Sequence, residues 1–312
     1  MTNIIKQTYS VTKYLPIRIK IYRYIINLIV KFFFPFQKSL FKNSFLQYLN
    51  SYIQVIINNQ TLKFRDGNER LYLHLNTHFI IEKDLINWID TFSENDVFFD
   101  IGSNIGLFSI YAAKKNISTV SFEGHFGNLN DFNYNILLNN VSKNILIVPI
   151  LLGNKNEKTN FYLRDLTPSS AKSEIDHKKK IYFNEEIKES LKINCISLNL
   201  DYLIENKIIP TPTKVKIDVD GAEFLILKGF EKNLENVDEI MLEMYENSAD
   251  YWKCYRENRN NVNIDTKKIT KNYFEKKNFK NPYYDEIKEI LFKKNFKEKQ
   301  SFGNNVIFKK VK

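Results

Sequence analysis

The stretch Phe98–Ser109 reads FFDIGSNIGLFS. An apolar, strand-like run ends in Asp100, and helix-like sequence begins after Gly106. Between them stand Gly102 and Gly106, two of only nine glycines in 312 residues. Glycine permits positive φ and close backbone approach to a ligand. A helix N-terminus beyond such a turn presents backbone N–H groups that no helical carbonyl accepts. The stretch therefore reads as strand, ligand-holding turn and helix, the opening unit of an open parallel sheet. Its spacing is G-x-x-x-G, where a dinucleotide pyrophosphate normally wants G-x-G-x-x-G, so a nicotinamide or flavin cofactor is disfavoured.

The same rhythm continues on both sides. LFSIYAAKK (107–115) predicts a helix, STVSFE (118–123) a second strand, NLNDFNYNILLNN (128–140) an amphipathic helix and NILIVPILL (144–152) a third strand. After a break, SLNLDYLI (197–204) predicts a helix, TKVKIDV (213–219) a fourth strand, AEFLILKGF (222–230) a helix and EIMLEMY (239–245) a fifth strand. YDEIKEILFKKN (284–295) predicts a helix, and NNVIFKKV (304–311) a last, antiparallel strand. Alternating strands and helices make an α/β fold: a mostly parallel sheet with helices on both faces. Residues 153–196 interrupt the pattern and read as an insertion, a hairpin that helps cover a substrate. Upstream, SYIQVIIN and QTLKF read as two strands joined by Asn58-Asn59, and EKDLINWIDTF (82–92) as an amphipathic helix. Residues 37–50 look helical. The expected organisation is a basic, apolar N-terminal segment over 1–50, a lead-in over 51–96 and the main domain over 97–312.

In such a sheet, ligands bind outside the carboxyl ends of the strands. The second strand ends in Glu123, 23 residues after Asp100. A carboxylate there accepts hydrogen bonds from the vicinal hydroxyls of a ribose. His125 follows and reads as a solvated loop histidine, with contact to an adenine or a substrate as the alternative. The fourth strand is the sharper anomaly. In KVKIDVDGAE, alternation puts Lys216, Asp218 and Asp220 on one face and Val215, Ile217 and Val219 on the other. A central parallel strand is normally apolar on both faces. Charges at its carboxyl end must be solvated, paired or used, and a lysine between carboxylates holds them ionised. The same cluster read structurally is an ion-pair network. Glu243 ends the fifth strand next door, where it either joins the same pocket or caps the edge.

Charge is unevenly spread. The chain carries +10 in total, with +8 in residues 1–50 and +9 in 266–312, leaving −7 for the body between them. A uniformly basic nucleic-acid binder is not built this way. Two cysteines, Cys195 and Cys254, form no CxxC or Cys/His cluster, which speaks against structural zinc and fits a reducing cytoplasm. From Ile17 to Phe34 the sequence is apolar except at Arg18, Lys20, Arg23, Asn27 and Lys31. Positions 20, 23, 27 and 31 form one polar stripe on a helix, which packs on its own domain or partner, or lies at the inner face of a membrane. The segment is marginal for a span, and no small-residue cleavage site follows it.

VFFDIGSNIGLFSIYAA, VSFEG, KVKIDVDGAEFLILKGF and IMLEMYE, in this order, resemble the FkbM-type S-adenosylmethionine-dependent methyltransferases over Val97 to Glu246. The resemblance implies the class I methyltransferase sheet, a Rossmann-like fold with a final antiparallel strand. It implies S-adenosylmethionine as cofactor and methyl transfer to a hydroxyl of a sugar, glycan, glycolipid or related metabolite. Asp100, Gly102, Ser103, Asn104 and Gly106 match the family's cofactor turn, and Glu123 its ribose-binding acid. Lys216, Asp218, Asp220, Gly221 and Glu223 match its second block, in which Asp220 replaces the usual glutamate. Asp218, then Asp220, with Lys216 between the acids, are the candidate catalytic groups; Glu243, Glu223 and His125 are candidate substrate contacts. Gly124 stands where the family commonly has proline. The competing readings are a nicotinamide-dependent sugar oxidoreductase and a non-catalytic, membrane-associated protein of the same fold.

Overall fold

The computed structural model describes residues 21, 24, 25, 28, 32, 52–66, 71, 75, 83–163, 166–169, 174–175, 191–244, 281, 283–302 and 304–311. The helix expected over 37–50 lies outside them. Strands β1 (Tyr52–Ile57) and β2 (Gln60–Arg65) form the predicted hairpin. Its turn residues Asn58 and Asn59 both take left-handed φ, 44° and 66°, the conformation a two-residue hairpin loop demands. Helix α1 (Lys83–Asp90) then buries Leu85, Ile86, Trp88 and Ile89.

The central sheet contains β3 (Val97–Ile101), β4 (Ser118–Phe122), β5 (Ile145–Val148), β10 (Lys214–Ile217), β11 (Glu239–Glu243), β12 (Phe296–Phe302) and β13 (Asn305–Lys310). Their order is β12-β13-β11-β10-β3-β4-β5. The five strands from β11 to β5 run parallel, and β13 and β12 close the edge antiparallel. The sequence predicted β13 but not β12, whose run FKEKQSF is mostly exposed and carries no apolar alternation.

Helices α2 (Leu107–Lys114) and α3 (Phe126–Asn139) join α1 on one face, over Phe98, Met241 and Ile307. Helices α4 (Leu200–Glu205), α5 (Glu223–Lys228) and α6 (Tyr284–Lys293) cover the other, over Phe99, Val120, Val215, Ile217 and Ile240. Two side-chain amides of α3 tie the hairpin to this body. Asn139 accepts from Lys63 N at 3.0 Å and donates to Lys63 O at 2.6 Å, and Asn135 accepts from Arg65 N at 2.7 Å. They satisfy a strand edge that would otherwise be open.

The third predicted strand, 144–152, is two strands. Pro149 has no N–H to donate and ends β5. The chain resumes as β6 (Leu151–Leu152) in a second sheet with β7 (Glu157–Tyr162), β8 (Glu174–Ile175) and β9 (Lys192–Leu198), in the order β6-β9-β7-β8. The interrupting region therefore includes an antiparallel β7–β9 pair. The helix expected from 197 begins at Leu200, because Asn199 caps it through Tyr202 N.

Candidate functional site

The turn after β3 is built from three left-handed residues: Gly102 at φ 78°, Asn104 at 52° and Gly106 at 85°. The amides of Gly102 and Ser103 both donate to Phe122 O at 3.0 Å, which locks the turn to the end of β4. Gly102 also needs its missing side chain. A Cβ there would lie 1.9 Å from the backbone oxygen of Asp218, so β3 and β10 meet without space between them.

Glu123 leaves the end of β4 and turns into this bend. Its Oε2 accepts from Asn104 N at 2.8 Å and its Oε1 from His125 N at 2.6 Å. Burial pushes the Glu123 carboxyl up to about 7, although the amides of His125 and Asn104 pull the other way. The Asn128 side chain and the Gly124 amide hydrogen-bond the same carboxyl and pull in the same direction as the other two amides. His125 is not a solvated loop residue. It is buried, stacks on Phe126, and its Nδ1 accepts from the amides of Gly127 and Asn128 as the N-cap of α3. Nδ1 is the acceptor, so the ring hydrogen sits on Nε2.

Asp100 points the other way, into the core, and is fully buried. Strand register lays Lys216, Asp100 and Ser121 side by side on three neighbouring strands. Ser121 Oγ donates to Ser109 Oγ at 2.8 Å, and Ser109 Oγ donates to Asp100 Oδ2 at 2.5 Å. Lys216 Nζ bridges Asp100 Oδ1 and Asp218 Oδ2, both at 3.2 Å. Burial alone lowers the Lys216 ammonium, but Asp218 and Asp100 outweigh it and hold it above the ordinary lysine range. Ser109 and Ser121 are absent from the sequence reading. Their signal, hydroxyls at fully buried positions, becomes readable only once the register is known.

Asp218 opens to solvent, its side chain 27% exposed while that of Lys216 is 2% exposed. Asp220 does not lie on the strand. β10 ends at Ile217, and the chain turns through Asp220 at φ 57° and Gly221 at φ 124°. Glu223 holds that turn, accepting from Val219 N at 3.2 Å and Gly221 N at 3.1 Å. It is buried, and burial pushes its carboxyl up to about 7 against the pull of those amides. Glu223 is thus placed as an anchor for the turn that carries Asp220. Glu243 stands half-buried at the end of β11, opposite Asn305. The turn, Glu123 and Asp218 come together at the carboxyl ends of β3, β4 and β10, and Glu243 ends the next strand outward.

The methyltransferase FkbM domain matches residues 100–298 of this sequence. The chain belongs to the FkbM methyltransferase family. A curated relative, the hexuronic acid methyltransferase AglP of Haloferax volcanii, is 26% identical over 166 residues, 53% of this chain and 62% of that protein. The chain thus spans less than two thirds of that relative's length. Among solved structures, an FkbM methyltransferase from Methylobacillus flagellatus aligns at 16% identity and a TM-score of 0.34, over 50% of this chain and 34% of that one. The O-methyltransferase of Bacillus cereus in complex with SAH aligns at 13% identity and a TM-score of 0.42, over 86% of this chain and 97% of that one. The FkbM assignment agrees with the mostly parallel methyltransferase sheet expected from the sequence. A Cβ at Gly124 would sit 2.3 Å from Leu151 Cδ2, so Leu151 packs into the space a side chain there would fill.

Proposed function

We propose that this FkbM methyltransferase moves a methyl group from S-adenosylmethionine to a hydroxyl of a sugar, glycan or glycolipid. The observation that carries the reading is the Glu123 carboxyl set 2.8 Å from the Asn104 amide, at the mouth of a turn that admits no side chain at Gly102. The residues present fit a nucleoside. Glu123 offers lone pairs to vicinal ribose hydroxyls, and the half-exposed Gly102 and Asn104 offer backbone approach. S-adenosylmethionine, when bound, supplies an electrophilic methyl on a sulfonium. Asp218, ion-paired with Lys216 and partly open to solvent, is our candidate to accept the proton of an incoming hydroxyl. Asp220 on the neighbouring turn is the second candidate for that role, and Glu243 borders the acceptor side. The sugar class is supported by the relative whose name records a hexuronic acid substrate.

Incubating the protein with S-adenosylmethionine and a panel of neutral and acidic methyl glycosides tests this. The expected product gains one CH₂ unit as an ether that survives mild base. A base-labile ester, marking transfer to a carboxylate, would overturn the hydroxyl assignment.

A peripheral position at an anionic membrane is a second reading, favoured by the N-terminal helix. Ile21, Tyr24, Ile25, Leu28 and Phe32 are helical, share one face and are all exposed, Phe32 by 79%. Residues 1–50 contain eight basic and no acidic side chains. An apolar stripe with basic flanks suits the headgroup boundary of anionic lipid. Among the described residues no helix is long and apolar enough to cross a membrane. Full-length protein is expected to co-sediment with vesicles rich in anionic lipid, and the double variant Leu28→Glu, Phe32→Glu to stay in the supernatant. Equal partitioning of the two would remove the idea.

A further inference from the structure

We propose that Lys216 is a positioning residue whose buried ammonium ties the cofactor turn to Asp218 and keeps that carboxyl ionised and fixed at the mouth of the site. The inference rests on the reading of Asp218 as the acid on the acceptor side. Its basis is a continuous polar line through the core. The line runs from Ser121 to Ser109 at 2.8 Å, to Asp100 at 2.5 Å, to Lys216 at 3.2 Å and to Asp218 at 3.2 Å. Only the last member is open to solvent; Ser121, Ser109 and Asp100 are fully buried and Lys216 is 1% exposed.

The line does two mechanical things. Lys216 Nζ donates to Gly102 O at 3.5 Å, so the ammonium that holds Asp218 also touches the first residue of the turn. The ring of Phe108, on the helix that follows the turn, lies 5.6 Å from the same Nζ, which confines it further. A buried ammonium with two carboxylate partners cannot follow one of them outward without leaving the other uncompensated. Asp218 is therefore held from behind. It is a carboxylate of fixed place, rather than a surface acid free to rotate among solvent positions.

The charged and titratable groups on the elements around Asp218 are few. At the carboxyl ends of the strands they are Lys216 on β10, Asp100 on β3, Asp220 and Glu223 on the way into α5, and Glu243 at the end of β11; Lys214 and Glu239 lie at the opposite ends of β10 and β11, and Lys228 at the far end of α5. Lys216 alone among those at the carboxyl ends is cationic, so its removal has one sign. Losing the ammonium raises the Asp218 titration midpoint, and losing Asp100, a like charge, lowers it.

The experiment is a carboxyl-carbon NMR titration of the full-length protein, labelled at aspartate and saturated with S-adenosylhomocysteine, with Asp218 assigned by Asp218→Asn. Lys216→Met is expected to raise the Asp218 midpoint by about one to two pH units. Asp100→Asn is expected to move it down, and carries the test alone if Lys216→Met does not fold. A purely structural lysine would lower stability in either variant without opposite shifts at one carboxyl. An Asp218 midpoint unmoved in the folded variants overturns the inference. Opposite shifts with Asp218→Asn still fully active in methyl transfer to the glycoside panel uphold the coupling and overturn only the proton-acceptor role.

Discussion

Glu123→Ala is expected to weaken S-adenosylhomocysteine binding about 100-fold, as read by calorimetry. Two hydrogen bonds from ribose hydroxyls to a carboxylate contribute roughly 1.5 kcal/mol each, and each 1.4 kcal/mol is about tenfold in affinity. The same substitution also removes the acceptor of the Asn104 and His125 amides, which lie 2.8 and 2.6 Å from the carboxylate oxygens. The binding loss therefore includes slackening of the turn itself. A pH dependence separates the two contributions. Burial puts the free Glu123 carboxyl at about 7. Hydroxyl donors favour the ionised form, so a proton held by the free protein must leave when the ligand binds. Affinity is expected to rise from pH 5 towards pH 8, by at most about tenfold per unit below the free midpoint. Glu123→Gln should abolish that slope. Affinity for S-adenosylhomocysteine within threefold of the parent in Glu123→Ala, with the slope unchanged, would place the ribose elsewhere.

Gly102→Ala should be the most damaging single methyl added to the turn. The residue sits at φ 78°, where a β-carbon costs about 1–2 kcal/mol. The added carbon would stand 1.9 Å from Asp218 O, a backbone atom. That backbone is held in turn, since Asp218 N donates to Ile101 O at 3.1 Å. Relief requires β3 and β10 to part at their carboxyl ends. A loss of about 3 kcal/mol or more, read from urea midpoints, is the expected outcome. Gly106→Ala has a similar φ, 85°, but meets the ring of Phe132 at 2.0 Å, a side chain that can repack at some cost. It should lose less. Equal losses, or a loss below about 0.5 kcal/mol in Gly102→Ala, would show that the two strands are not locked there.

Where the sequence is informative, short-range physics explains why. Residues 97–148 alternate strand and helix without interruption, and the structure follows the elements up to the start of the third strand to within about two residues. Asn58-Asn59 needs no partner to be read as a hairpin turn, because positive φ is a local preference. The departures need information from distant chain. Pro149 ends a strand in an otherwise apolar run, but that the chain then enters another sheet depends on pairing with β9, more than 40 residues on. His125 reads as solvated because the amides it caps, those of Gly127 and Asn128, are visible only once α3 is known to begin at Phe126. Alternation carried Asp220 onto β10, whereas an amide clamp by Glu223 takes it off. The acids at the strand ends were all legible as unusual. Which of them faces inward, as Asp100 does, was set by register and by Ser109 on the facing helix.

Gly124 has a consequence of a different kind. It is a shared corner, where a Cβ beside Glu123 would run into Leu151 and lie 3.6 Å from Phe161 of the smaller sheet. Anyone grafting a foreign 151–198 region onto this scaffold must match the bulk at those two positions to one missing methyl. A mismatch would be felt first at Glu123, on the far side of the corner from the transplanted piece.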